Sequence, residues 1–238
     1  MIATYSEPGD LVLDPLCSDG SCLLEAIRQG RNALGVVGDN QLAGTNVLAR
    51  IARARARGAR GHAAALLGDP AELPQLLARQ ASGFLRRHRR SPTLTAHPCG
   101  SGDLILVLRV EPPFGRRGSS SCSRRSRRSL SDEALCGAAA GVLRPGGFLV
   151  LAENIESDGG LPDVRMRTVR LCQELGLQYW QHVVALLVPL RDGQLGPQHR
   201  YTASCTDTSD IAASHADVLV FCKPSPTSAT PRTAVEAA

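Results

Sequence analysis

An α/β domain built on a mostly parallel sheet is the fold this sequence predicts, and three observations predict it. Residues 5–40 read as a strand, an acidic glycine-bearing turn, a helix and a second strand. Apolar runs rich in β-formers then alternate with helical periodicities through five strands, a pattern that puts helices on both faces of a parallel sheet. Two strand-like runs with no helix between them close the order, and they place one antiparallel strand near the C-terminus.

Leu11, Val12 and Leu13 form a short apolar run that stops at Asp14. Gly20 lies in the turn that follows. Leu23, Leu24, Ala26 and Ile27 recur at helical spacing until Gly30 closes the helix. Ala33 to Val37 is the second strand. This is a Rossmann-type βαβ unit, in which a ligand lies over the carboxyl ends of the strands. Leu42 to Arg57 reads as a helix with an arginine-rich outer face, broken by Gly58 and Gly61. Ala63 to Leu67 is a weaker strand ending at Gly68-Asp69-Pro70, and residues 71–80 are a short helix. Residues 86–102 carry Pro92, Pro98, Gly100 and Gly102 and read as irregular.

Asp103 to Val110 (DLILVLRV) is the strongest strand signal and runs into Glu111-Pro112-Pro113-Phe114-Gly115. Residues 116–131 are Ser/Arg-rich and are expected to form a mobile loop. Ser131 or Asp132 caps a helix from Glu133 to Leu143. Arg144-Pro-Gly-Gly147 is a sharp turn into a strand from Phe148 to Ala152. A helix over Pro162 to Leu175 stops at Gly176, and strands follow at Tyr179 to Leu190 and Asp217 to Cys222. The expected organisation is one domain over residues 1–223 with a disordered tail over 224–238, where Pro, Ser, Thr and Ala dominate.

A chain of 238 residues is long enough for one such domain with a sizeable core. Hydrophobic content is ordinary at 43%, and aromatic content is low at 3%. The net charge of +5 is unevenly placed, with one cluster at Arg86, Arg87, Arg89 and Arg90 and another at Arg116, Arg117, Arg124, Arg125, Arg127 and Arg128. Runs of this kind either track phosphates or form a solvated basic loop. The eight cysteines include no Cys-x-x-Cys pair and the six histidines have no ligand spacing, so no metal site is expected and the thiols read as reduced. The first ten residues do not have the pattern of a secretory leader. The longest apolar run, Val183 to Leu190, is too short to span a bilayer. A cytoplasmic protein with no membrane partner is the expectation.

Three acids stand at successive strand ends: Asp14, Asp39 and Asp69. In an open α/β sheet they lie along one edge and converge on one crevice. Carboxylates there suit a ligand with an amino group and ribose hydroxyls better than a pyrophosphate. Any one of them alone has a plainer use as the cap of the turn that follows.

The stretch Asp14-Pro-Leu-Cys-Ser-Asp-Gly-Ser-Cys22, with Glu25-Ala26 and Gly30-Arg31-Asn-Ala-Leu-Gly35 after it, resembles the S-adenosylmethionine motif of DNA methylases of the N4-cytosine/N6-adenine type and of the related tRNA guanine-N2 methyltransferases. The lead-in Tyr5-Ser-Glu-Pro-Gly-Asp10, Gly68-Asp69, Arg144-Pro-Gly-Gly147 and His215-Ala-Asp-Val-Leu-Val-Phe221 extend the resemblance over most of residues 5–224. It implies a class I methyltransferase fold that binds S-adenosylmethionine. Asp14, Pro15, Ser18 and Gly20 would form the cofactor loop, with Asp14 and Gly20 on the methionine and ribose part. Asp69 would face the adenine amino group, and Asp39 is a further candidate.

The catalytic motif of that family, Asp/Asn/Ser-Pro-Pro-Tyr/Phe after the fourth strand, matches Glu111-Pro112-Pro113-Phe114. An exocyclic amine is a poor nucleophile because its lone pair is delocalised into the ring. A polar side chain and a backbone carbonyl that accept its hydrogens turn the lone pair toward the methyl sulfonium. The prolines stiffen the loop, and the aromatic ring stacks on a base turned out of its helix.

This sequence departs from the family pattern in places. Ser18 replaces the first glycine of the loop, Val37 stands where a ribose-binding acid is usual, and Glu111 is longer than the usual residue. The Ser/Arg-rich stretch replaces a structured insertion, and only ten residues precede Leu11 where relatives carry a segment over the cofactor. The leading expectation is therefore an S-adenosylmethionine-dependent methyltransferase acting on an exocyclic amino group of a nucleic-acid base, DNA ahead of RNA. The alternative is a relative that keeps the fold and nucleic-acid binding without transferring methyl groups. A small-molecule methyltransferase is a third reading, and the Pro-Pro-aromatic segment counts against it.

Overall fold

The computed structural model describes residues 1–38, 41–81, 102–109, 131–154, 163–186, 190–191, 194–195 and 215–225. Seven strands make one sheet: β1 (Leu11–Asp14), β2 (Asn32–Val37), β3 (Ala63–Leu67), β4 (Gly102–Arg109), β5 (Leu143–Asn154), β6 (Gln178–Leu186) and β7 (His215–Cys222). Their spatial order is β3-β2-β1-β4-β5-β7-β6. Pairing is parallel from β3 to β5, while β7 runs antiparallel to both β5 and β6. This is the α/β, Rossmann-like architecture that the sequence predicts, with its one antiparallel strand inserted next to the edge.

Among the described residues the helices are α1 (Ile2–Tyr5), α2 (Ser21–Arg28), α3 (Gln41–Ala56), α4 (Leu73–Ala81), α5 (Asp132–Val142) and α6 (Asp163–Glu174). Successive strand residues point to opposite faces, so the central strands supply both cores. On one side Val12, Leu104 and Val150 meet Leu23 and Ile27 of α2 and Val47 and Ile51 of α3. On the other, Leu13, Ile105 and Leu149 meet Leu73 and Leu77 of α4, Leu135 of α5 and Cys172 of α6. Leu13 and Leu104 are fully buried, and truncating either to Ala costs about 2–5 kcal/mol.

Local signals explain the element ends. Ser131 caps α5, its Oγ accepting from the Ala134 N–H at 3.2 Å, with Asp132 and Glu133 in the first turn. Gly30 and Gly176 stop α2 and α6 in the left-handed conformation, at φ of 79° and 80°. Before α4 the chain makes one 3₁₀ turn, Pro70–Glu72, so the helix expected over residues 71–80 opens more tightly than an α-helix.

Two expectations change. Arg144 to Gly147 is not a turn ahead of a strand but a wide bulge inside one long β5. Gly102 pairs with Leu143, yet Leu104 already pairs with Phe148. The extra residues fit because Gly146 takes φ 77° and because Gly146 and Gly147 exchange backbone hydrogen bonds with Lys223 at 2.7 and 2.9 Å. Arg144 also pairs with the Asp103 carboxylate. The second change concerns Tyr179 to Leu190, which is not one strand. β6 ends at Leu186, and Leu190–Arg191 pairs with Gln194–Leu195 in a separate ribbon.

The first residues are tied down. Arg31, itself buried, donates to the Ser6 carbonyl at 2.6 Å and the Gln29 carbonyl at 2.7 Å. Tyr5 stacks at a tilt on Phe148, with ring centroids 5.3 Å apart, and its hydroxyl accepts from Gln181 of β6. Among the described residues no helix is long and apolar enough to cross a membrane. Of the loop expected over 116–131, residues 116–130 lie outside the described residues, and so do residues 226–238 of the tail expected over 224–238.

Candidate cofactor and substrate site

The carboxyl ends of β1 and β3 and the loop after β1 build the candidate site. Asp14, the last residue of β1, is buried. Its Oδ1 accepts from the Leu16 N–H at 3.2 Å and the Cys22 thiol lies beside its carboxylate, so it braces the turn from beneath. Burial, with the Asp14 charge beside it, pushes the Cys22 thiol far up. Pro15 and Cys17 are also buried. Cys17 sits over Gly35 of β2, where an added Cβ would lie 2.8 Å from both the Cys17 Cβ and its Sγ. A glycine in the middle of a strand often marks such a close approach.

The tip of the loop faces outward. Ser18 and Asp19 are exposed, so the side chain at the departing position 18 lies on the surface. Gly20 takes φ 75° at the start of α2, and a Cβ there would come within 2.9 Å of Val47 Cγ1. Asp19 Oδ1 accepts from the Ser21 N–H at 3.0 Å and its Oδ2 from the Ser21 hydroxyl at 2.6 Å. Arg50 of α3 reaches back to the same carboxylate at 2.9 Å and also donates to the Asp19 carbonyl. Partial burial pushes the Asp19 carboxyl up, but the bonds from Ser21 and Arg50 outweigh it and hold the group below the usual aspartate range. Sequence reasoning missed Val47 and Arg50, because nothing local to α3 names a partner so far back in the chain.

Asp69 follows β3 and is exposed, its Oδ1 accepting from the Ala71 N–H at 2.8 Å to cap the 3₁₀ turn. Asp14 and Asp69 thus share one local geometry: each binds the N–H two residues on. Val37, at the end of β2, is buried in the core. Asp39 lies outside the described residues, as do Glu111, Pro112, Pro113 and Phe114 and both arginine clusters of the sequence.

At the ends of β4 and β5 the rim is charged. Arg109 bridges Asp132 of α5 at 2.5 Å and Glu153 of β5 at 3.2 Å. Arg109, Asp132, Cys136, Glu153 and Thr168 border one another there, and the space between them is too small to admit a water. Burial raises the Glu153 carboxyl, and the Arg109 charge opposes that shift without cancelling it. Asp217 of β7, opposite Glu153 in register, forms an ion pair with Arg165 at 2.5 Å and pairs with His182 at 2.6 Å. Among the described residues no group of three or more His, Cys, Asp or Glu side chains could hold a metal ion.

No family model matches the chain, and no curated protein does. Solved structures do. A geranyl diphosphate methyltransferase, solved with geranyl diphosphate and sinefungin, gives a TM-score of 0.54 at 14% identity, covering 92% of this chain and 73% of that one. A SAM-dependent methyltransferase from Methanosarcina mazei gives 0.52 at 14% identity, covering 93% and 96%. The fibrillarin pre-rRNA processing protein of Methanococcus jannaschii gives 0.50 at 11% identity, covering 92% and 69%. At these identities the likeness is one of fold. The neighbours are class I SAM-dependent methyltransferases, and their substrates differ widely, as one fold hosts many chemistries.

Proposed function

We propose that this chain is an S-adenosylmethionine-dependent methyltransferase acting on an exocyclic amino group of a nucleic-acid base. One observation supports the cofactor half above all: the loop between β1 and α2 is pinned from below by Cys17 on Gly35 and from the side by Val47 and Arg50, while its tip stays exposed. A seat held this firmly with an open top fits a ligand laid over the strand ends. The cofactor, when bound, supplies a methyl group on a sulfonium. Exposed Asp69 offers a carboxylate to the adenine amino group, and Pro15, Ser18 and Gly20 border the methionine side. Asp14 acts beneath them by holding the turn through Leu16 and Cys22. Asp39 is the proposed partner of the ribose hydroxyls.

Glu111, Pro112, Pro113 and Phe114 follow closely on Arg109, the last residue of β4, so the chain leaves for them from the same rim. Their proposed work is to accept the amine hydrogens and stack the base. The sequence resemblance favours DNA, while the pre-rRNA processing neighbour adds RNA as the second polymer to assay.

The test is calorimetry with S-adenosylmethionine, followed by transfer of a labelled methyl group to DNA and to RNA. Asp69→Asn is the informative variant, because its amide oxygen keeps the cap on Ala71 while the charge goes. Loss of a hydrogen bond to a charged group, about 1.5–3 kcal/mol, predicts at least about tenfold weaker cofactor binding. Unchanged affinity in that variant rejects the adenine role. The fold-retaining relative without methyl transfer is the second reading, favoured by Val37, which puts a buried aliphatic side chain where relatives present a carboxylate. It predicts no cofactor binding at all.

A further inference from the structure

The end of α3 carries a concentration of positive charge that the candidate site does not use. From Gln41 to Gly68 the chain holds five arginines and no acid, a local charge as large as the net charge of the whole protein, +5. Arg50 is engaged by Asp19. Arg53, Arg55, Arg57 and Arg60 are exposed, and none of them makes an ion pair among the described residues. Val47, Ile51 and Ala54 turn the opposite side of the helix into the core. The helical ladder continues to Arg57, whose N–H donates to the Arg53 carbonyl at 3.2 Å, so Arg50, Arg53 and Arg57 fall at i, i+3 and i+7 along one flank. That flank begins at the loop after β1 and descends from it.

A helix C-terminus rewards nearby positive charge by about 0.3–1 kcal/mol. Stability gives no further reason for this pattern. Like charges at i and i+4, as in Arg53 and Arg57, repel by about 0.2–0.5 kcal/mol, and a solvated helix built for stability intersperses acids instead. Exposed guanidinium groups without carboxylate partners suit an external polyanion, each of whose phosphates accepts two parallel N–H bonds from one guanidinium on two of its oxygens.

We propose that Arg53, Arg55, Arg57 and Arg60 form a docking surface for the phosphodiester backbone of a nucleic acid. The surface deepens the nucleic-acid reading given above and rests on it. Backbone contacts position a polymer without reading its sequence, so the arginine flank sets how the substrate lies while the rim selects the base.

The experiment measures binding of the full chain to a fluorescent single-stranded RNA and to a DNA duplex across a salt series, without cofactor. The variant is Arg53→Gln/Arg57→Gln/Arg60→Gln, which keeps good helix formers at exposed positions. Circular dichroism and Tm verify its fold. Wild type is expected to bind with strong salt dependence. The variant is expected to bind at least about tenfold more weakly at low salt, with the slope of log K against log salt reduced by about 2 for single strands. Wild-type affinity and slope in the folded variant would overturn the docking surface and leave the nucleic-acid reading standing. A wild type that binds neither polymer overturns both. Tighter binding to phosphatidylserine vesicles than to either polymer overturns the surface in favour of a membrane.

Discussion

Arg50 and Asp19, 31 residues apart in sequence, meet at 2.9 Å and join the middle of α3 to the exposed loop after β1. The pair is partly solvent-exposed, so its worth to global stability is small, about 0.2–1 kcal/mol. Its local effect is larger, because the same guanidinium also holds the Asp19 carbonyl. Arg50→Gln is expected to leave Tm nearly unchanged and to weaken S-adenosylmethionine binding about tenfold through a looser loop. Calorimetry beside a thermal melt checks both halves, and equal losses in both would reduce Arg50 to a structural residue.

The same pair sets a pH dependence. Asp19 has its carboxyl lowered in the folded chain, so its contribution is complete above the unfolded value near about 4 and is lost as pH falls through the lower folded value. The Tm difference between wild type and Asp19→Asn should be constant at neutral pH and vanish in acid. Thermal melts across pH test it, and a difference that grows on acidification contradicts the assignment.

Gly61 is expected to tolerate nothing larger. A Cβ at this position would lie 1.8 Å from the Arg31 carbonyl oxygen, and the Gly61 N–H already donates to the Ile27 carbonyl at 3.0 Å. Gly61→Ala must displace backbone at the join of α2 and β2, at a cost of about 1–3 kcal/mol or more. Urea unfolding measures it.

Arg109→Gln removes the cation from two acids at once. Glu153, whose carboxyl burial already raises, is then left charged and half-buried, and the expected loss is about 1–3 kcal/mol. An acid with a raised folded value costs stability as pH rises through that value, so the loss should shrink in acid. Adding Glu153→Gln should recover part of it, and no recovery in the double variant would place the cost elsewhere.

Cys17 and Cys22 should resist alkylation in the native protein. Burial pushes both thiols far up, and the Asp14 carboxylate adds to the shift. The thiolate is the reactive form. Residue-resolved mass spectrometry after iodoacetamide should find both unmodified until denaturant is added.

Much of this architecture was legible from local chemistry. The run Leu11 to Asp14, the glycine stops at Gly30 and Gly176 and the cap at Ser131 each carry their reason within a few residues. The acids at the ends of β1 and β3 were legible as positions, but the burial of Asp14 was not, since it depends on Cys22 and on the sheet beneath. Arg50 and Arg109 were missed for a related cause: their partners sit 31 and 23 residues away. The bulge at Arg144 to Gly147 was hidden because it is created by Lys223, which reaches it from the far end of the domain.

The order of the sheet has a consequence for biosynthesis. β1 lies inside the sheet, yet its neighbour β4 is far downstream, and the Leu11 N–H waits for the Asp103 carboxylate, 92 residues on, to accept at 2.7 Å. Until that stretch leaves the ribosome, the emerging β1–β2–β3 half has an open inner margin with unpaired backbone groups. At about 5–20 residues per second the wait lasts some seconds, long enough for a holdase chaperone to engage the margin.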